Sequence, residues 1–184
     1  LVSSRTLPGE PRLGTHPCFT DLDGDGVSEI LCARRDGTVT ALSEQMVPLW
    51  TFDAGASIDA SPVGGPVFVG QGGAFVLTTA GRLHGLTGHG RPLWHFDMSH
   101  KAARFPSFSD VLVLQLAYTH ASVLVSDAEG WLYAVDAVDG EEQWRVRVGR
   151  SALGSPAVFD VHSNAGRELV CVSEDGALAV IDAT

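Results

Sequence analysis

Apolar residues along this chain alternate with polar residues or form short runs, and the pattern recurs at a regular interval. Four glycines precede segments of this kind and are spaced 44, 49 and 46 residues apart: Gly37, Gly81, Gly130 and Gly176. Three tryptophans follow the first three glycines by 13 or 14 residues: Trp50, Trp94 and Trp144. A repeat of this length predicts one supersecondary unit that is present in four stacked copies.

Each unit is predicted to form four short strands. In the fourth unit, strands are expected over residues 156–160, 168–173 and 177–181, with a hairpin at Asp175 and Gly176 in which both residues need a positive φ. The fourth strand is visible in the other units, over residues 49–52, 93–96 and 143–148. The apolar period is close to 2 rather than 3.6, so no amphipathic helix is expected.

Regularly spaced short strands predict an all-β sandwich, barrel or propeller, and a period of about 46 residues with four strands per unit favours the β-propeller. We expect about four antiparallel blades in a single domain over residues 1–184, with units near 15–58, 59–103, 104–152 and 153–184. Residues 1–14 are a candidate closing strand, because residues 2–7 occupy the place of the fourth strand that the last unit lacks. A closed four-blade ring and a part of a larger ring both remain open.

Composition and charge exclude several classes of protein. With 12 Lys+Arg against 22 Asp+Glu, the net charge is −10, so no nucleic-acid partner is expected. No apolar run approaches the roughly 18 residues of a membrane span. Three cysteines are too few for a disulfide scaffold. Because the chain begins at Leu1 rather than Met, we expect an excised or processed segment.

Residues 134–144 carry a motif that joins two strands of a blade. Ala134, Asp136, Gly140 and Trp144 resemble the tryptophan-docking motif A-x-D-x-x-T-G-K-x-x-W of the pyrroloquinoline-quinone (PQQ)-like propeller family. The resemblance implies a propeller in which each indole fills the space between adjacent blades and finds a partner for its N–H. The family includes quinoprotein dehydrogenases, the lipoprotein scaffold of outer-membrane β-barrel assembly, and propellers attached to acyl-activating enzymes.

The cysteines bear on catalysis. Dehydrogenases of that family hold the quinone under a disulfide between adjacent cysteines, whereas Cys18, Cys32 and Cys171 are not adjacent. No catalytic residue carries over, which argues against PQQ as a cofactor and against a redox enzyme within these residues. Cys18 and Cys32 flank an acidic loop on adjacent predicted strands, so a close approach of these two thiols and three separately buried thiols both remain open.

The acidic loop, residues 21–29, is the most specific chemical motif. Asp21, Asp23 and Asp25 stand at positions 1, 3 and 5, the carbonyl of Val27 at position 7 and Glu29 at position 9. Odd spacing and a glycine at position 6 resemble a calcium loop, although Cys32 replaces the glutamate at position 12. The loop is similar to that of FG-GAP-type propeller repeats. We therefore predict a structural Ca²⁺ ion; the alternative is an acidic turn whose aspartates cap local N–H groups.

Residues 159–171 form a degenerate copy of this loop, with too few carboxylates for a metal ion. The function predicted for the chain is a non-catalytic β-propeller module for protein interaction or scaffolding, stabilised by Ca²⁺. The alternative is a propeller part of a quinone-dependent dehydrogenase or of an acyl-activating enzyme. The calcium loop slightly favours an extracellular or periplasmic location.

Overall fold

The structure is a computed structural model that describes residues 16–68, 71–98, 111–114, 121–151, 153–159 and 168–182. The candidate closing strand within residues 1–14 and most of the degenerate loop copy lie outside these residues. The part that the structure describes contains no helix long and apolar enough to span a bilayer.

The described residues form fifteen short strands. They are β1 Cys18–Thr20, β2 Glu29–Ala33, β3 Thr38–Leu42, β4 Pro48–Asp53, β5 Val63–Phe68, β6 Gln71–Leu77, β7 Arg82–Thr87, β8 Pro92–Asp97, β9 Leu112–Leu114, β10 Ser122–Ser126, β11 Trp131–Asp136, β12 Glu142–Arg147, β13 Ala157–Phe159, β14 Glu168–Val172 and β15 Leu178–Asp182.

These strands build four antiparallel sheets, each from strands that are consecutive in the sequence. Blades 1, 2 and 3 are the four-stranded sheets β1–β4, β5–β8 and β9–β12, and blade 4 comprises β13–β15. The first strands β1, β5 and β9 are neighbours in space. Adjacent first strands are the arrangement expected around a central axis, so the predicted all-β propeller fold is confirmed. Among the described residues no closed ring is detected, and the arrangement is consistent with part of a larger propeller.

The core consists of three apolar clusters, and each fills the space between two successive blades. Blade 2 shows why the fold is not a two-layer sandwich. In β6, Phe75 and Leu77 face blade 3, whereas Ala74 and Val76 face blade 1. Because successive strand residues point to opposite faces, a sheet covered on both faces needs the continuous apolar run that β6 has.

The hairpin in the fourth unit differs from the prediction. Only Gly176 has a positive φ, at 85°, and Asp175 does not. The Gly176 N–H donates to the Ser173 carbonyl at 3.0 Å, and the Ser173 N–H donates to the Ala177 carbonyl at 2.9 Å. The loop therefore has three residues and ends in one left-handed glycine, so the expectation of two positive φ values was wrong.

The cysteines are all free thiols. Cys18 pairs with Leu31 across β1 and β2, so its side chain lies on the face of Leu31, and Cys32 lies on the opposite face. A close approach of the Cys18 and Cys32 thiols, one of the two alternatives, is therefore disfavoured by this alternation. The structure places the two side chains on different faces of blade 1.

Candidate functional site

The acidic loop joins β1 to β2 and is anchored at both ends. Leu22 is buried in the cluster between blades 1 and 2. The Leu22 N–H donates to Glu29 Oε2 at 2.8 Å, and Glu29 is only 5% exposed. Burial of Leu22 leaves residues 23–28 turned toward solvent, while the buried carboxylate holds the start of the loop against its end.

Aspartate side chains shape the exposed part of the loop. Asp21 accepts hydrogen bonds from the Gly24 N–H at 2.7 Å and from the Gly26 N–H at 2.9 Å. The Asp25 Oδ1 accepts one from the Val27 N–H at 2.7 Å. These bonds are the N–H caps of the alternative prediction, and they also fold the loop into a compact turn.

Three of the predicted ligands come together. Asp21, Asp23 and Glu29 each offer a carboxylate oxygen, and these atoms all lie within 4.8 Å of one another. Oxygens bound to one Ca²⁺ ion lie about 2.3–2.6 Å from it, so ligands on opposite sides are separated by about 5 Å. The spacing and the all-oxygen donor set therefore fit a hard divalent cation. Asp25 is outside this group, and the carbonyl of Val27 stays a predicted ligand.

The loop backbone packs against two glycines of blade 2 that sequence reasoning missed. A Cβ on Gly72 would collide with the Asp21 carbonyl oxygen, and a Cβ on Gly88 would collide with the Leu22 carbonyl oxygen. Gly72 lies inside β6 rather than in a turn. No local signal distinguishes a glycine needed for close approach from one in a turn, because the contact joins two blades.

Tryptophan docking joins the same blades. The Trp50 indole N–H of blade 1 donates to the Gly88 carbonyl of blade 2 at 2.8 Å, and its ring lies where a Cβ on Gly90 would be. In the same way, the Trp94 N–H of blade 2 donates to the Ala137 carbonyl of blade 3 at 3.0 Å. These two contacts confirm the predicted role of the indoles between blades.

Two cavities flank the acidic loop on the end of the molecule that we call the acidic-loop face. One has a volume of about 240 Å³ and is lined by Leu22, Asp23, Glu29, Leu49, Trp50, Gly88 and His89. The other has a volume of about 420 Å³ and is lined by Thr20, Asp21, Gly24, Gly65, Pro66, Phe68, Gln71 and Gly72. The cavities place carboxylates beside apolar side chains contributed by both blades.

A histidine lies deeper in the contact between blades 1 and 2. The His84 ring meets the Phe52 ring edge-on, with centroids 5.3 Å apart, and its Nε2 is buried without a hydrogen-bond partner. Burial, followed by the positive charge of Arg82 and by His95, lowers the pKa of His84 below its ordinary value. Burial therefore disfavours the charged form of this histidine at the blade contact.

Known proteins match the chain in fold and, over part of its length, in sequence. Residues 113–184 match the family model described as outer membrane protein assembly factor BamB. BamB from Moraxella catarrhalis superposes with a TM-score of 0.70 at 24% identity, over 92% of this chain and 46% of BamB. BBS1N in complex with ARL6DN gives a TM-score of 0.71 at 13% identity, over 92% of this chain and 55% of BBS1N.

The computationally designed Ika4 protein gives a TM-score of 0.65 at 14% identity, over 98% of this chain and 99% of Ika4. No curated protein matches the chain. The fold is that of a β-propeller. The resemblance to PQQ-like propeller repeats is confirmed by the family model over residues 113–184 and by the superposition on BamB. The chain spans about half the length of the BamB and BBS1N chains that it matches.

Proposed function

We propose that this chain is a non-catalytic propeller module that binds a protein partner at its acidic-loop face, and that a Ca²⁺ ion stabilises this face. The observation that carries the proposal is the convergence of three carboxylates with exposed apolar side chains at the junction of blades 1 and 2. A partner would meet a rigid surface, because the loop backbone and an indole both dock on blade 2.

The calcium part of the proposal follows from charge. The loop holds four carboxylates within nine residues, and like charges at this spacing repel one another unless a cation neutralises them. With a Kd of about 10⁻⁴ M, as for extracellular calcium modules, about 1 mM Ca²⁺ would stabilise the folded state by roughly 1.4 kcal/mol. Asp21, Asp23 and Glu29 would hold the ion, and its role would be structural.

The partner part of the proposal follows from the exposed apolar side chains beside the two cavities. Leu49 is 52% exposed and lines the smaller cavity, and Phe68 is 45% exposed and lines the larger one. Exposed apolar side chains at the centre of a polar patch are typical of protein-binding surfaces. The net charge of −10 favours a partner that presents basic residues around an apolar contact. The structure of BBS1N in complex with ARL6DN records one similar propeller bound to another protein.

A matched pair of loop variants tests the calcium site. Asp23→Asn removes a carboxylate from the group of three, whereas Asp25→Asn makes the same change of charge outside that group. We expect about 1 mM Ca²⁺ to raise the melting temperature of the unaltered chain by about 3–6 °C relative to EDTA. Asp25→Asn should keep most of this shift and Asp23→Asn should lose it. Equal melting curves with and without Ca²⁺ would contradict the proposed calcium site.

Two variants and one control variant test the binding surface. Proteins that crosslink to the unaltered full chain under native conditions should no longer crosslink to the Leu49→Asp variant or to the Phe68→Asp variant. They should be kept with Val172→Asp, which alters an exposed valine on blade 4. Equal capture by all three variants would place the contact elsewhere. The enzymatic alternatives stay predictions, and a stoichiometric chromophore after incubation with PQQ would favour them over the binding module.

A further inference from the structure

The outer strand of blade 3 carries a charge opposite to that of its counterparts in blades 1 and 2. The last residue of the fourth strand is Asp53 in blade 1, Asp97 in blade 2 and Arg147 in blade 3. The residues that face them on the third strand are, in the same order, Thr38, Arg82 and Trp131. Blade 3 therefore has an arginine where the other two blades have an acid, and this arginine lies beside an indole.

Blade 2 shows how an arginine at this end of a blade is neutralised. The Arg82 Nε and Nη2 donate to the two oxygens of Asp97 at 2.6 and 2.8 Å. In blade 3 the Nε of the exposed Arg147 donates to the Gly149 carbonyl at 3.1 Å. In the part of the chain that the structure describes, no carboxylate pairs with Arg147. Its positive charge and the donors of its two terminal nitrogens are therefore available to a ligand.

The Trp131 ring holds two guanidinium groups. The Cζ atom of Arg145 lies 5.6 Å from the ring centroid, and that of Arg147 lies 5.8 Å from it. A guanidinium held by an aromatic ring is preorganised, so less conformational freedom is lost when it binds a carboxylate. Arg145 also lies 3.7 Å from Glu142, in an exposed ion pair that water screens. We call Trp131, Arg145 and Arg147 the arginine patch.

The spacing of the two arginines indicates the shape of the ligand. Arg145 and Arg147 are two residues apart on β12, so their side chains leave the same face of the strand about 6.5 Å apart. Alternate side chains of an extended peptide have the same spacing. Two carboxylates at alternate positions could therefore each meet one guanidinium, whose planar fork donates two N–H groups to a carboxylate.

We propose that the arginine patch binds an extended acidic segment of a partner protein, through carboxylates at alternate positions. The acidic loop follows the first strand of blade 1, whereas Arg147 ends the fourth strand of blade 3. Because strands one and four of an antiparallel blade run in opposite directions, the two features lie at opposite ends of the blades. The inference is therefore independent of the binding function proposed for the acidic-loop face.

Fluorescence anisotropy of a labelled peptide that alternates Glu and Thr tests the proposal on the full chain. The buffer contains EDTA, so that no divalent cation bridges the peptide to the acidic loop. Arg147→Gln should raise the Kd by about tenfold or more, because a charge-assisted hydrogen bond is lost. Arg82→Gln makes the same change of charge at an arginine that is already paired, and it should change the Kd by less than about twofold.

Arg147→Lys is a second variant, which keeps the charge and lacks the planar fork. It should bind with an affinity between those of the unaltered chain and Arg147→Gln. Because Arg147 is exposed, both variants are expected to fold.

Four outcomes would overturn the proposal. The first is no binding by the unaltered chain, and the second is an equal loss in Arg147→Gln and Arg82→Gln, which would reflect overall charge alone. The third is equal affinity for a peptide with Gln in place of Glu. The fourth is complete displacement of the peptide by about 10 mM inorganic phosphate at constant ionic strength, which would indicate a site for small anions.

Discussion

The tryptophan contacts between blades make a quantitative prediction about two glycines. Gly140 has a φ of 77°, and a Cβ added to it would lie 2.5 Å from the Trp94 ring. Gly176 has a φ of 85°, and a Cβ added to it would meet nothing within 4 Å. An alanine at either position has the same unfavourable backbone conformation, and only the alanine at Gly140 displaces a docked indole.

The magnitudes separate the two effects. Left-handed backbone costs an L-residue roughly 1–2 kcal/mol, so Gly176→Ala should lower the free energy of unfolding by about that much. Overpacking costs about 1–3 kcal/mol more, so Gly140→Ala should lower it by about 2–5 kcal/mol. The ring cannot retreat freely, because the Trp94 N–H is bonded to the Ala137 carbonyl at 3.0 Å.

Urea unfolding followed by circular dichroism measures both losses, with an unchanged m-value showing that the compared states are the same. The double variant Gly140→Ala with Trp94→Phe should lose less than the sum of the single changes, because the phenyl ring lacks the N–H that anchors Trp94 to Ala137 and can move away from the added Cβ. Equal losses for Gly140→Ala and Gly176→Ala, together with an additive double variant, would refute the packing argument.

Two further predictions concern titratable groups in the contacts between blades. Burial lowers the pKa of His84 below its ordinary value of 6.5, so the unfolded chain binds the proton more tightly. The contribution of neutral His84 to the free energy of unfolding should therefore be fully present above pH 6.5 and should decline as the pH falls below it. Melting temperatures between pH 8 and pH 5 should fall less steeply in His84→Gln than in the control His89→Gln, and identical slopes would contradict this origin. Burial also raises the pKa of the Cys171 thiol to about 11, so in the native chain at pH 8 a disulfide reagent should label Cys171 far more slowly than Cys18. Mass spectrometry of the labelled peptides measures both rates, and equal rates would contradict the burial of Cys171.

Most of the fold could be predicted from local sequence patterns, because each blade is built from contacts between consecutive strands. The spacing of glycine and tryptophan located the hairpins and the two docked indoles, Trp50 and Trp94. Cys32 and Cys171 also repeat at one position, the fourth residue of the second strand in blades 1 and 4.

The features that sequence reasoning missed depend on contacts between blades or on local dihedral angles. Gly72 and Gly88 are required because the acidic loop of another blade passes over them, and no neighbouring residue signals this. Asp25 lies outside the three gathered carboxylates and accepts a hydrogen bond from the Val27 N–H, and spacing alone does not reveal this.

Calorimetric titration of the full chain with CaCl₂ measures whether the acidic loop of the propeller binds a cation. We expect one site with a Kd of about 10⁻⁴ M, which Asp25→Asn keeps and Asp23→Asn abolishes. No heat of binding, or the same affinity in Asp23→Asn as in the unaltered chain, would contradict it.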